Sequence, residues 1–298
     1  MLNPWASLDG RYSKAVSRCC LWSATRHRLP GNIISPAANM TTRLTALCCL
    51  AVLPVGAQWL DYPTKGIPRL PDGKPNLAAP APKLADGKPD LSGLWLGDQW
   101  GPAGRRPNPP GGARPTPPEM LPWAQKVFEE RQANHIKDDP EARCMPQGVP
   151  KATTLPYPVE IINAPGKAVM LYEMYSLRRE LFTDGRELPK EFISPSWMGY
   201  SVGKWEGDEF VATTAGFNDQ VWNIDLAGHP HSDVLRVTER FRRVDFGHMD
   251  IQVTIDDPKT YTKPWVMPVM RYTLLPDTDL LEFVCEKNID PQHMVGNK

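Results

Sequence analysis

At 298 residues, 41% of them hydrophobic, the chain is long enough for one large domain or two small ones. Its 34 Lys and Arg balance 34 Asp and Glu. Residues 1–57 hold six of the bases and one acid, so the remainder carries 28 basic and 33 acidic groups, a net charge of −5. No basic field is present to attract nucleic acid or an anionic membrane, and neither is expected as a partner.

The first segment, residues 1–39, shows no core pattern and reads as an over-extended start or a disordered extension. Residues 40–57, "MTTRLTALCCLAVLPVGA", place Arg43 ahead of an apolar run and end on the small residues Val55-Gly56-Ala57. That is the anatomy of a signal peptide, too short to span a bilayer. The expected destination is periplasmic or extracellular, with no stable membrane span after cleavage. Cys19, Cys20, Cys48 and Cys49 leave with this leader, and only Cys144 and Cys285 remain. In an oxidising compartment these two are expected to pair; the alternative is two buried thiols.

Residues 58–118 are rich in Pro and Gly, and "DGKPNL" (72–77) returns as "DGKPDL" (86–91). Asp-Gly before Lys-Pro favours turns and extended chain, so the segment reads as a strap lying on a domain formed by 119–298. Within it "GLWLG" (93–97) is strand-like. One convincing helix follows in 117–135, with Pro at its start, Glu119 in the first turn and a Trp123, Val127, Phe128 stripe.

From Pro158 onward the hydrophobic period is two. Strands are expected at 158–164, 167–175, 177–183, 199–206, 209–217, 234–245, 249–257, 264–275 and 280–287. Short turns such as Pro165-Gly166, Asp184-Gly185 and Phe246-Gly247-His248 join many of them, which implies antiparallel neighbours. The fold class is therefore all-β: an up-and-down meander closing into a barrel, or alternatively folding into a β-sandwich.

Alternation also assigns faces. Met249, Ile251, Val253 and Ile255 share one side of their strand, and Leu235, Val237, Glu239 and Phe241 share one side of theirs. Glu239 is the anomaly there, as is Glu173 beside Val169 and Leu171, and Arg179 between Leu177 and Leu181. An unpaired buried charge is costly, so the three are expected to form an interior polar cluster, or else to reach water at strand ends. "LAGHPHSD" (226–233) carries His229, His231 and Asp233. A metal site there lacks a third and fourth good ligand, so the reading is a turn whose histidines sit at the barrel mouth. No cofactor motif is present. Asp184 and Arg186 form a hairpin turn that can also meet a ligand at the rim, and Trp205 and Trp222 can line a pocket.

Two resemblances accompany these residues. "Gly93-Leu94-Trp95" with a late Arg271 resembles the Gly-x-Trp entry strand and packing arginine of the lipocalin-like barrels, which implies their closed barrel. "TDGREL", "GYSVGKWEGDEFVATTAGFND" and "HSDVLRVTERFRRVDFG" resemble a family of exported bacterial proteins without assigned function. That second likeness brings no chemistry. The expected function is a secreted barrel binding a small organic ligand, with His229, His231, Asp233, Asp184, Arg186, Trp205 and Trp222 as candidate contacts. An alternative is a hydratase, isomerase or hydrolase using Glu239 or Glu173 as acid/base, with Arg179 steadying charge and His231 shuttling protons. A structural envelope protein is the third.

Overall fold

The computed structural model describes residues 62–97, 117–283 and 285, all within one structural unit, Trp59–Lys298. The readings of residues 1–39 and 40–57 lie outside the described residues. Ten strands make one sheet: β1 Gly93–Gly97, β2 Val159–Ala164, β3 Lys167–Tyr172, β4 Arg178–Phe182, β5 Tyr200–Glu206, β6 Glu209–Ala215, β7 Arg236–Arg243, β8 His248–Asp256, β9 Trp265–Val266 and β10 Met270–Leu274. Their order follows the chain from β1 to β9, with β10 paired to both β1 and β8. Nine strands thus close into a barrel and β9 remains outside the ring, hydrogen-bonded to β8. Of the barrel and the sandwich, the barrel forms.

One pairing departs from the expected meander. β4 and β5 run parallel, with Leu181 beside Ser201 and Phe182 beside Val202. Parity requires it, because strands alternating up and down around a closed ring must be even in number, and nine force one parallel pair. The physical cause is the connection. The Asp184-Gly185 turn does not lead into the next strand; residues 183–199, broken by Pro189 and Pro195, return to the far end of the barrel before β5 begins. Two other expectations need correction. Residues 280–283 form no strand, and the 264–275 run is interrupted, so β9 and β10 are separate pieces.

The core is what alternation demands. Met249, Ile251, Val253 and Ile255 are wholly buried, and Val237 and Phe241 face them across the β7–β8 pair. Trp95 is also fully buried, its indole N–H donating to the Leu91 carbonyl. Gly93 needs its lack of a side chain, since φ is +140° and a Cβ there would lie 2.6 Å from Leu274. The arginine over the Trp95 ring is Arg243, at 4.8 Å, rather than Arg271. Arg271 sits on the opposite face of β10, where its Nε donates to Asp250.

Call the end of the barrel bearing the β2–β3, β5–β6 and β7–β8 hairpins the lower end. The strap runs beneath it as two copies of one small hairpin. In the first, Leu70 N–H donates to Lys74 O, Gly73 N–H to Leu70 O, and Asn76 N–H to Pro68 O. In the second, Leu84 N–H donates to Lys88 O, Gly87 N–H to Leu84 O, and Asp90 N–H to Pro82 O. Asp72 and Asp86 each accept the N–H two residues on, and Gly73 and Gly87 take φ of +84° and +82°. The repeat in sequence is a repeat in structure. Each copy also ends on a leucine that meets the barrel: Leu77 packs on Gly247, and Leu91 enters the core.

The upper end is closed by other elements. Helix α1, Pro122–Ala133, is shorter than expected and buries only Ala124; Trp123 is exposed, so the anticipated stripe is not a core face. Instead α1 rests on the histidine loop, where Arg131 and Gln132 donate to Gly228 O and Ala227 O. A 3₁₀ turn at Pro140–Arg143 leads to Cys144, and the chain then dives inward as a single helical turn, α2, Lys151–Thr154, all four residues buried. Cys144 is bonded to Cys285, with Cα atoms 5.7 Å apart. That bond ties the tail to the entrance of the inward-going segment.

Candidate functional site

Two of the three interior charges come together. Arg179 and Glu239, 2% and 0% exposed, form a buried ion pair through Arg179 Nη2. Arg179 Nε donates to Ser201 Oγ at 3.0 Å and Nη2 also reaches Thr214 Oγ1 at 2.6 Å. The second Glu239 oxygen accepts from Thr153 Oγ1 at 2.8 Å. Tyr272 donates to the Thr153 carbonyl, and the Tyr172 hydroxyl stands 3.5 Å from Thr153 Oγ1. Each group has a simple origin: Arg179, Glu239, Ser201, Thr214, Tyr172 and Tyr272 occupy inward positions of six strands, and Thr153 is delivered by α2. Arg179 Nη1 makes no hydrogen bond among the described residues. Burial disfavours the charged guanidinium, but the adjacent Glu239 carboxylate outweighs it and holds Arg179 protonated. Burial raises both tyrosines, with Arg179 opposing the rise at Tyr172, so both keep their protons.

Glu173 does not join them. The inward residues of β3 are Ala168, Met170 and Tyr172, and Glu173 lies just beyond the strand on the opposite parity, half-buried. Its carboxylate accepts the Leu281 N–H at 3.3 Å, and desolvation there raises its pKa.

The histidine loop is a braced turn. His229 is buried, stacked on Phe128 at 4.4 Å and hydrogen-bonded through Nδ1 to Asp225 at 2.7 Å. The His231 ring nitrogens face the Val221 and Ser232 carbonyls at 2.6 and 2.9 Å. Asp233 is exposed and pairs with Lys259, which lowers its pKa. The three do not converge, and among the described residues no His, Cys, Asp and Glu cluster can hold a metal. The anchor of the loop is Asp257, which carries no signal of its own in the sequence: it is 1% exposed and accepts from Ser232 N and Oγ and from Thr260 Oγ1. Trp222 sits under Arg131, whose Cζ lies 4.0 Å above the ring. Asp184 and Arg186 pair with each other at the exit of β4, and Arg186 also reaches the Tyr200 hydroxyl and covers Phe182. These residues therefore occupy separate places around the barrel and build no common site.

Among the candidate contacts, Trp205 lines a cleft. At the lower end a cleft of about 230 Å³ opens between the second strap hairpin and the barrel. Leu91, Trp205 and Phe210 supply apolar walls; Asp86, Asn163 and Lys167 supply polar ones. Asn163 donates to the Asp90 carboxylate and Lys88 to the Gly207 carbonyl, which fixes the hairpin over the opening. Leu84 carries no signal in the sequence and Asp86 reads only as a turn residue of the repeat, because a strap residue reveals its partner only once the strap is placed. No protein-family model matches the chain, and no curated protein matches it.

Proposed function

We propose that the protein is an exported barrel that binds a small organic ligand in the lower cleft, with the interior ion pair serving to hold the barrel rather than to catalyse. The observation that carries this reading is the cleft itself. An aromatic wall from Trp205 and Phe210 faces Asp86, Asn163 and Lys167 across about 230 Å³, less than the roughly 300 Å³ at which drug-sized pockets begin, which restricts the ligand to a compact one. By contrast, both Glu239 oxygens are already engaged and the group is sealed from solvent by α2. Export is supported by the leader pattern of residues 40–57 and by the Cys144–Cys285 bond, which suits an oxidising compartment. Kinship with the exported bacterial family rests on the three stretches quoted above.

The test is a ligand screen by native mass spectrometry followed by calorimetry on two variants. Trp205→Ala is expected to weaken binding by about tenfold or more, the loss of an apolar anchor worth roughly 1.4 kcal/mol. Glu239→Gln is expected to bind as the wild type does. Binding abolished by Glu239→Gln and untouched by Trp205→Ala would move the ligand into the barrel and defeat the proposal.

A further inference from the structure

A second buried polar group lies at the upper end, unconnected with the cleft. Lys151, on α2, is 1% exposed, and its Nζ touches three side chains: Glu141 at 2.5 Å, Asp139 at 2.7 Å and the Asn223 Oδ1 at 3.1 Å. Asn223 is 2% exposed, and its Nδ2 donates to the same Asp139 Oδ2 at 2.8 Å. Gln147 holds Glu141 from the other side at 2.8 Å. One carboxylate oxygen thus contacts both the amine of a lysine and the amide nitrogen of an asparagine; the amine and the amide are buried, while the Asp139 and Glu141 side chains stay 16% and 17% exposed.

We propose that Lys151 and Asn223 join in an intramolecular amide bond, formed by the folded protein itself. The arrangement brings together the amine, the amide and the proton carriers that such an acyl transfer uses. A nucleophile and an amide carbonyl are held side by side, which replaces a bimolecular encounter by a fixed geometry. Burial opposes ionisation of Asp139, but its contact with Lys151 outweighs this and keeps the carboxyl ionised, and Oδ2 touches both Nζ and Nδ2, where it can pass a proton from one to the other. Glu141 takes one proton from the Lys151 ammonium. The free Nζ attacks Asn223 Cγ, and an Nζ–Cγ bond forms. Asp139 Oδ2 accepts the second proton from Nζ and hands it to Nδ2. The Cγ–Nδ2 bond breaks and ammonia leaves, collecting the proton that Glu141 holds to depart as ammonium. Nothing is oxidised or reduced.

Intact-mass measurement of the purified full chain, denatured and with its disulfide reduced, decides the matter. The expected mass is lower by one ammonia than that calculated for the chain as purified, with a proteolytic fragment in which the peptides of Lys151 and Asn223 remain joined. Asp139→Asn, which retains both reacting residues, is expected to give the unreduced full mass, as are Lys151→Arg and Asn223→Ala. A folded wild-type protein at full mass, or one heavier by the conversion of Asn223 to aspartate, overturns the proposal. So does a missing ammonia that maps to any pair other than Lys151 and Asn223.

Discussion

Inside the barrel, the Arg179–Glu239 pair illustrates why a buried charge is informative and why its partner set is not. Glu239→Ala leaves an arginine charged and solvent-free, and is expected to cost about 3–5 kcal/mol in urea unfolding. Replacing both, as Arg179→Met with Glu239→Leu, is expected to give a protein closer to the wild type than either single change, because the desolvation of two charges disappears with their attraction. A double variant less stable than both singles would contradict that account. Glu239 and Arg179 were legible in the sequence because each interrupts an otherwise apolar face. The sequence does not place Glu173, for a related reason: in β3 both parities are apolar, Ala168-Met170-Tyr172 on one side and Val169-Leu171 on the other. With no polar side to fix the register, a slip of one residue turns the strand inside out. Thr153, the ligand of Glu239, lay in a segment with no period at all, and Tyr172 and Tyr272 read as ordinary apolar bulk.

Among the elements, the strap depends on a few specific contacts rather than on a broad apolar face. Arg69 and the Thr64 N–H both bind the Asp277 carboxylate, Arg69 with contacts at 2.5 and 3.0 Å. The Arg69 contact holds the Asp277 carboxyl below its ordinary pKa, with Thr64 assisting. A depressed folded pKa means the stabilisation is intact above the unfolded value, about 3.9, and is lost as pH falls through the folded one. Limited proteolysis of residues 62–76 is therefore expected to be slow at neutral pH and to quicken in acid. In Asp277→Asn it is expected to be fast at both, with the barrel still folded by circular dichroism. Arg243 fastens the second half of the strap. It donates to the Asp90, Ser92 and Phe246 carbonyls while lying over Trp95, and burial lowers its pKa to about 10. Arg243→Lys cannot form that fork of bonds, and is expected to loosen residues 84–92 in hydrogen exchange. The turn chemistry of the two DGKP copies was plain from their residues. The role of Leu77 and Leu91 was not, since a single leucine in a Pro-rich stretch carries no periodicity.

For the molecule as a whole, strands β2 to β8 and the inward faces of β7 and β8 followed from alternation, whereas closure did not, because a barrel and a sandwich need the same pattern. The parallel β4–β5 pair was hidden behind an ordinary-looking Asp-Gly turn. The Cys144–Cys285 bond spans a sequence separation of 141. In the chain-entropy description, closing so long a loop contributes about 5 kcal/mol. Urea unfolding with and without reductant, or of Cys285→Ser, is expected to show a loss approaching that size. A loss near zero would mean that packing of the tail alone holds the entrance to α2.

The ring is completed by β10 meeting β1 and β8, and β1 emerges from synthesis long before its second neighbour exists. Until residues 270–274 arrive, β1 and β8 each present a bare row of amide and carbonyl groups, open to pairing with another chain. Assembly therefore waits for residues 270–274, and its many distant contacts make it slow. A chain cut short at residue 269 is expected to be found by light scattering in multimers rather than as a monomer, the unpaired margins of one copy annealing to those of the next.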